Sequence, residues 1–304
     1  MGLDINSLNF LGFAKNQGVD FSKTLSIGRA GICITEDGIR EFLINFGRED
    51  LIKNIKQLIN SKYFEEILSV VFGAKILDSV DASSYEGASI IHDFNLPIQT
   101  DKRFTTIMDF GCLEHVFNFP VAIDNIINLC DVNGHILHYL PANNCCGHGF
   151  YQFSPELFFS LYSTERGFSD TRIFFVEWQS NPSVWYEIKS PIELHQRVTI
   201  SNSCEGYLLV KTTKLFNAIS PLKSAPQQSD YISIWKDGEM PVANRNIKNK
   251  TSKYLKSNIK MLLIALGMEK QVEKISIFFW YRKKMLRSKR SDLVSLNVAD
   301  LIKN

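Results

Sequence analysis

The spacing of apolar residues changes period several times along the chain. Residues 23–28, KTLSIG, form a short apolar run closed by glycine, the pattern of a buried strand entering a tight turn. From 36 to 72 apolar positions recur at helical spacing in two or three pieces, with Leu43, Ile44 and Phe46 in the first and Leu51, Ile52, Ile55, Leu58 and Ile59 in the second. Strands are predicted at 75–81, 88–93 and 104–110. A helix follows from Pro120 to Cys130, with proline where helices start well. Asn133-Gly134 turns the chain into a strand at 135–140, and Ser154 is placed to cap a helix opening at Pro155. Strands recur at 171–178 and 206–213. Alternating strands and helices, with strands that read as continuous apolar runs, imply an α/β fold with a doubly wound sheet covered on both faces.

In such a sheet ligands bind beyond the carboxyl ends of the strands. The residues there are Gly28, Arg29 and Gly31 after the first strand, Asp81 after the second, and Asp93 and Phe94 after the third. Asp109 and Phe110 follow the fourth, and Pro141 to His148 the fifth. A glycine at 28 permits close backbone approach to a ligand, or makes a plain strand-to-helix turn. The turn lacks the G-x-G-x-x-G spacing and any Walker lysine, which disfavours a nicotinamide-binding enzyme. Asp81 offers two acceptor oxygens, enough for a ribose diol, or a helix cap. Asp93 and Phe94 suit an adenine amine and ring, or a turn before Pro97.

The charge is unevenly spread. Between Arg245 and Arg290 there are 14 Lys and Arg against 2 Glu, a net +12, whereas the whole chain carries +2, so the remainder carries −10. Apolar residues within this basic stretch recur at helical spacing from Leu255 to Leu266, and Phe278 to Tyr281 interleave aromatics. The stretch is read as a basic helical C-terminal extension, either a solvated face or a surface for an anionic membrane or partner. No nucleic-acid motif is present. The six cysteines show no C-x-x-C spacing, so they are expected to be free thiols in a reducing compartment. There is no apolar run of membrane-spanning length and no secretory pattern at the start. The expectation is a cytoplasmic protein, membrane-peripheral at most.

The stretch FTTIMDFGCLEHV, the helix after it, the Asn133-Gly134 turn and Pro141 to Asn144 together resemble class I S-adenosylmethionine-dependent methyltransferases of the ubiquinone/menaquinone-biosynthesis type. Leu113, Glu114, His115 and Val116 match that family's Leu-Glu-His-Val. The resemblance covers about residues 20–215 and departs from the family at the first glycine loop, which is degenerate. It implies a seven-stranded Rossmann-like methyltransferase sheet whose last strand is antiparallel, with S-adenosyl-L-methionine as cofactor. Gly28, Arg29, Gly31, Asp81, Asp93, Phe94, Asp109 and Phe110 are then assigned to the cofactor.

Methyl transfer to a hydroxyl needs a base near the methyl group and requires no metal, and none is assigned. His115 is the first candidate base and His148 the second, with Glu114 orienting the imidazole; Glu114 and His115 would otherwise only shape the pocket. Asn144 and Tyr151 are assigned to the acceptor. Trp178, Trp185 and Tyr186 suggest an aromatic wall for a sugar or glycan precursor, or core packing. His138, in mid-strand, is read as a core histidine. The division expected is a segment over 1–22, a methyltransferase-like domain over 23–215, a linker over 216–244 and the basic extension over 245–304. The competing reading is a methyltransferase-like scaffold without turnover.

Overall fold

The computed structural model describes residues 2–178, 184–194, 197–229, 231–232, 235 and 293–303. Nine strands form one sheet: β1 (Lys23–Ile27), β2 (Ile76–Asp81), β3 (Ile90–Ile91), β4 (Phe104–Phe110), β5 (Cys130–Asn143), β6 (Phe168–Glu177), β7 (Val184–Ile188), β8 (Gly206–Lys214) and β9 (Leu293–Asn297). Their order is β3-β2-β1-β4-β5-β8-β6-β7-β9. The pairs from β3 to β5 are all parallel, and β8 enters antiparallel between β5 and β6. Only β7 and β8 run against the other described strands. The expected count of seven strands is therefore short by two. The missing pair, β7 and β9, extends the edge beyond β6.

Side chains alternate strictly between two cores. On β5, Leu137 and Tyr139 face one side and Ile136 and Leu140 the other; on β8, Leu209 opposes Leu208 and Val210. The first side is covered by α1 (Ile5–Asn16), α2 (Glu36–Asn45), α3 (Ile55–Asn60) and α4 (Glu65–Phe72), and the second by α5 (Phe119–Leu129) and α6 (Pro155–Leu161). Two short helices, α7 (Pro191–Leu194) and α8 (Val298–Ile302), complete the described elements. A sheet packed on both faces needs apolar residues at every position of its central strands, which is why those strands read as unbroken apolar runs.

Residues 1–22, read as a segment ahead of the domain, contribute α1 to the core. Asp4 caps it reciprocally with Ser7, and Phe10, Phe13 and Leu11 are fully buried. The Tyr139 hydroxyl donates to Asp4 Oδ2 at 3.0 Å, and burial holds the Asp4 carboxyl above its ordinary pKa. α1 is buried on every face over residues 6–14, with Asn6, Ser7 and Asn9 interleaved among the apolar side chains, so it shows no amphipathic stripe to betray it.

Trp185 is a core residue, not an acceptor wall. It lies on β7 with no exposed surface, packs on Phe10, Phe13 and Phe174 and donates its indole N–H to Asn6 at 3.2 Å. Trp178 packs on Tyr207 at the first core, and Tyr186 packs against the second.

The opening of the stretch read as a linker is pinned to the body: buried Arg166 donates to the carbonyls of Ile219 and Ser224, and Ser229 bonds Glu156. The basic stretch Arg245–Arg290 lies outside the described residues. The end of the expected helical extension, however, is β9 followed by α8, with β9 on β7 and α8 against α1. All six cysteines are free. Among the described residues no helix is long and apolar enough to cross a membrane.

Candidate functional site

β4 ends at Phe110, and the chain turns at Gly111 (φ +87°) into a single 3-10 turn, Leu113–His115. Asp109 holds this turn in place. Its Oδ1 accepts the amides of Cys112 and Leu113, each at 3.2 Å. Its Oδ2 lies 2.8 Å from Nδ1 of His138, the residue opposite it on β5, and His138 Nε2 lies 2.8 Å from the Tyr162 hydroxyl. Asp109, His138 and Tyr162 are all buried. Asp109 is thus spent inside the protein, and Phe110 is core, stacked between Phe10 and Tyr139. Neither reaches a cofactor. His138 is the core histidine expected of its mid-strand position.

The turn points Glu114 inward and His115 outward. Glu114 is completely buried, and neither carboxylate oxygen has a hydrogen-bond partner among the described residues. Burial, and then the neighbouring charge of Asp109, pushes its carboxyl up to about 8. The loop after β5 folds back over it. The amides of Phe150 and Tyr151 donate to the Glu114 carbonyl at 2.7 and 3.2 Å. This needs left-handed backbone at Gly147 (φ +94°) and Gly149 (φ +74°), and a Cβ on Gly149 would stand 2.7 Å from that carbonyl oxygen.

The fold-back places His148 Nε2 3.4 Å and His115 Nε2 3.8 Å from Glu114 Oε1. The two imidazoles stand 5.2 Å apart, centroid to centroid, and both are half-exposed. Burial, and then the adjacent His148, lowers the pKa of His115, which keeps it neutral and able to take a proton at physiological pH. Two residues beyond each histidine sit exposed Phe117 and Phe150, whose rings meet edge to face at 5.9 Å. All three residues named from the sequence as catalytic are therefore brought together.

The expected cofactor residues fare unevenly. Gly28 has φ +75°, which favours glycine, and a side chain there would stand 3.7 Å from Cys112; its amide, however, donates to the Val80 carbonyl. Arg29 is committed to Glu65 at 2.7 Å, to the Glu86 carbonyl and to the face of Tyr63. The Gly31 carbonyl accepts the Leu3 amide. The first turn is thus held by the protein's own groups. Asp93 folds its carboxylate onto Asn95, and Phe94 is buried in the second core, so this segment is the turn alternative. Asp81 remains: among the described residues its Oδ1 takes only the Ser83 amide, and it stands at the carboxyl end of β2.

On the acceptor side Asn144 (φ +58°) clamps Asn202 and Cys204, and the Tyr151 hydroxyl donates to the Phe117 carbonyl. Both shape the surroundings with their polar groups already occupied. A cavity of about 310 Å³ nearby is lined by Asn143, Gln152, Ser154, Phe175 and Thr199 among others. Of these, sequence reasoning had Asn143 within the strand-end stretch after β5 but missed Gln152, Ser154, Phe175 and Thr199 as lining, and it missed that both oxygens of Glu114 would be left unpaired among the described residues. The one signal was the Gly147-His148-Gly149 run, whose glycines allow the close fold-back.

No protein-family model and no curated protein matches the sequence. Solved structures with some likeness include the N-methyltransferase NodS from Bradyrhizobium japonicum (TM-score 0.36, 14% identity, 69% of this chain and 94% of that one). Others are a possible histamine N-methyltransferase from Thermotoga maritima (0.36, 12%, 69% and 91%) and YcgJ from Bacillus subtilis (0.36, 11%, 68% and 98%). Likenesses at this level carry no argument about this chain.

Proposed function

We propose that the protein is an S-adenosylmethionine-dependent methyltransferase acting on a hydroxyl of a small molecule or glycan precursor. One observation carries the reading: Glu114, His115 and His148 meet at the carboxyl ends of adjacent parallel strands β4 and β5, with Asp81 at the carboxyl end of β2 in the same sheet. Asp81 fits the ribose end of the cofactor, because a strand-end carboxylate with a spare oxygen accepts from a diol. Gly28 would only let the backbone come close. When bound, S-adenosylmethionine supplies a methyl group already activated on a sulfonium.

The chain's residues do the rest. The acceptor rests against Phe117 and Phe150. His115 Nε2 takes the hydroxyl proton, with His148 as the second group placed to do so. Glu114 orients the pair from beneath. The basic stretch 245–290 is assigned, from its charge alone, to an anionic partner or membrane surface.

The engaged first turn favours a second reading, a binding protein of the same fold without turnover. Isothermal titration with S-adenosylmethionine, S-adenosylhomocysteine and NAD separates them. Binding of the first two, lost in Asp81→Ala, supports the enzyme. Absence of binding by either overturns it in favour of the scaffold.

A further inference from the structure

We propose that Glu114, His115 and His148 bind a divalent transition-metal ion of the zinc class. The starting point is a group of polar atoms with nothing to bond. Both oxygens of fully buried Glu114 and Nε2 of His148 are buried and, among the described residues, lack hydrogen-bond partners. Such atoms are rare in native proteins because each one left bare costs free energy. Here three of them converge with His115 on one point.

The distances match a coordination sphere. Two donors each about 2.1 Å from a tetrahedral metal stand about 3.4 Å apart. Glu114 Oε1 lies 3.4 Å from His148 Nε2 and 3.8 Å from His115 Nε2, and all three donor atoms lie within 4.8 Å of one another. A small turn of the half-exposed His115 ring closes the set. The donor types select the metal. Two imidazoles and one carboxylate suit zinc and its first-row neighbours, whereas magnesium and calcium take oxygen ligands.

The frame is fixed from outside the ligands. Glu114 is held by the Phe150 and Tyr151 amides on its carbonyl, and Gly149 packs so closely that an added Cβ would stand 2.9 Å from the Glu114 Cγ. Three protein ligands leave one position open, and it faces the solvent side where both histidines are exposed, beside Phe117 and Phe150. That is the arrangement of a reactive metal centre, not of a closed structural one. A metal there also neutralises a carboxylate otherwise buried without a counter-ion. The site rests on these side chains and not on the methyltransferase reading; with the ion bound, the two Nε2 atoms are ligated and no longer serve as base, and a hydroxyl at the open position would instead lose its proton to solvent more readily.

The test uses the full-length protein, stripped with a chelator and titrated with cobalt(II), with zinc in competition. The expected result is one ion per chain, visible d–d absorption without a thiolate charge-transfer band, and displacement by zinc. His115→Ala and His148→Ala, both at half-exposed positions, each weaken binding at least about tenfold, while His92→Ala leaves it unchanged. Circular dichroism of each variant confirms the fold. Absence of saturable binding overturns the proposal, as does binding undiminished in both His115→Ala and His148→Ala, or a thiolate band that persists in them. No arm of the test contains a methyl donor, so failure of the cofactor titration leaves this result standing.

Discussion

Asp109 Oδ2 and His138 Nδ1 lie 2.8 Å apart between β4 and β5, with neither side chain exposed to solvent. The pair sits directly beneath the turn that carries Glu114 and His115, and Asp109 also holds two amides of that turn. Removing Asp109 leaves Nδ1 of a buried imidazole and two amides without a partner. Asp109→Ala is expected to lower stability by about 3–5 kcal/mol, read from urea unfolding. Asp109→Asn, which keeps an acceptor, is expected to cost less.

Glu114 gives the metal-free protein a pH dependence of definite sign. Its carboxyl is raised from 4.5 to about 8 by burial and Asp109, so between those values the folded state binds more protons than the unfolded state. Stability contributed by the neutral form is full below 4.5 and is lost as pH rises through about 8. Glu114→Gln has no such proton to lose. Its unfolding midpoint, compared with that of the parent, is expected to gain steadily from pH 5 to pH 8.5. A constant difference across that range would refute the assignment.

Gly147 and Gly149 offer a matched comparison. Both adopt positive φ, but a side chain at 147 meets nothing within 4 Å, while one at 149 meets Glu114 at 2.7 Å. Gly147→Ala is expected to cost only the backbone strain, about 1–3 kcal/mol. Gly149→Ala is expected to cost more and also to weaken cobalt binding. Paired melts and titrations of the two variants check this.

Arg29 was assigned to the cofactor from its place after β1, yet it is tied to Glu65, Glu86 and Tyr63. Arg29→Ala is expected to cost about 1 kcal/mol, since its ion pair is partly exposed, and to leave S-adenosylhomocysteine affinity unaltered. A large affinity loss without a stability loss would return Arg29 to the cofactor site.

The strands of the central sheet were legible because doubly covered strands write apolar runs into the sequence. Strand-end position and residue type then pointed to Glu114, His115 and His148, whose donor atoms the fold brings within 4.8 Å of one another. Long-range pairing was not legible. Trp185 and α1 satisfy each other across most of the chain's length, and β9 completes an edge that β7 begins. Nor does residue type tell whether a strand-end aspartate faces out, like Asp81, or in, like Asp109. That depends on which partner, here His138, the neighbouring strand supplies.

The pairing of β9 with β7 changes what the basic stretch is. The chain is fastened to the body at Ser229 through Glu156, and again at Leu293–Asn297 through the sheet. The basic stretch is therefore joined to the body on both sides. A single cut between Ser229 and Leu293 would leave each side of the break fastened to the body by its own anchor.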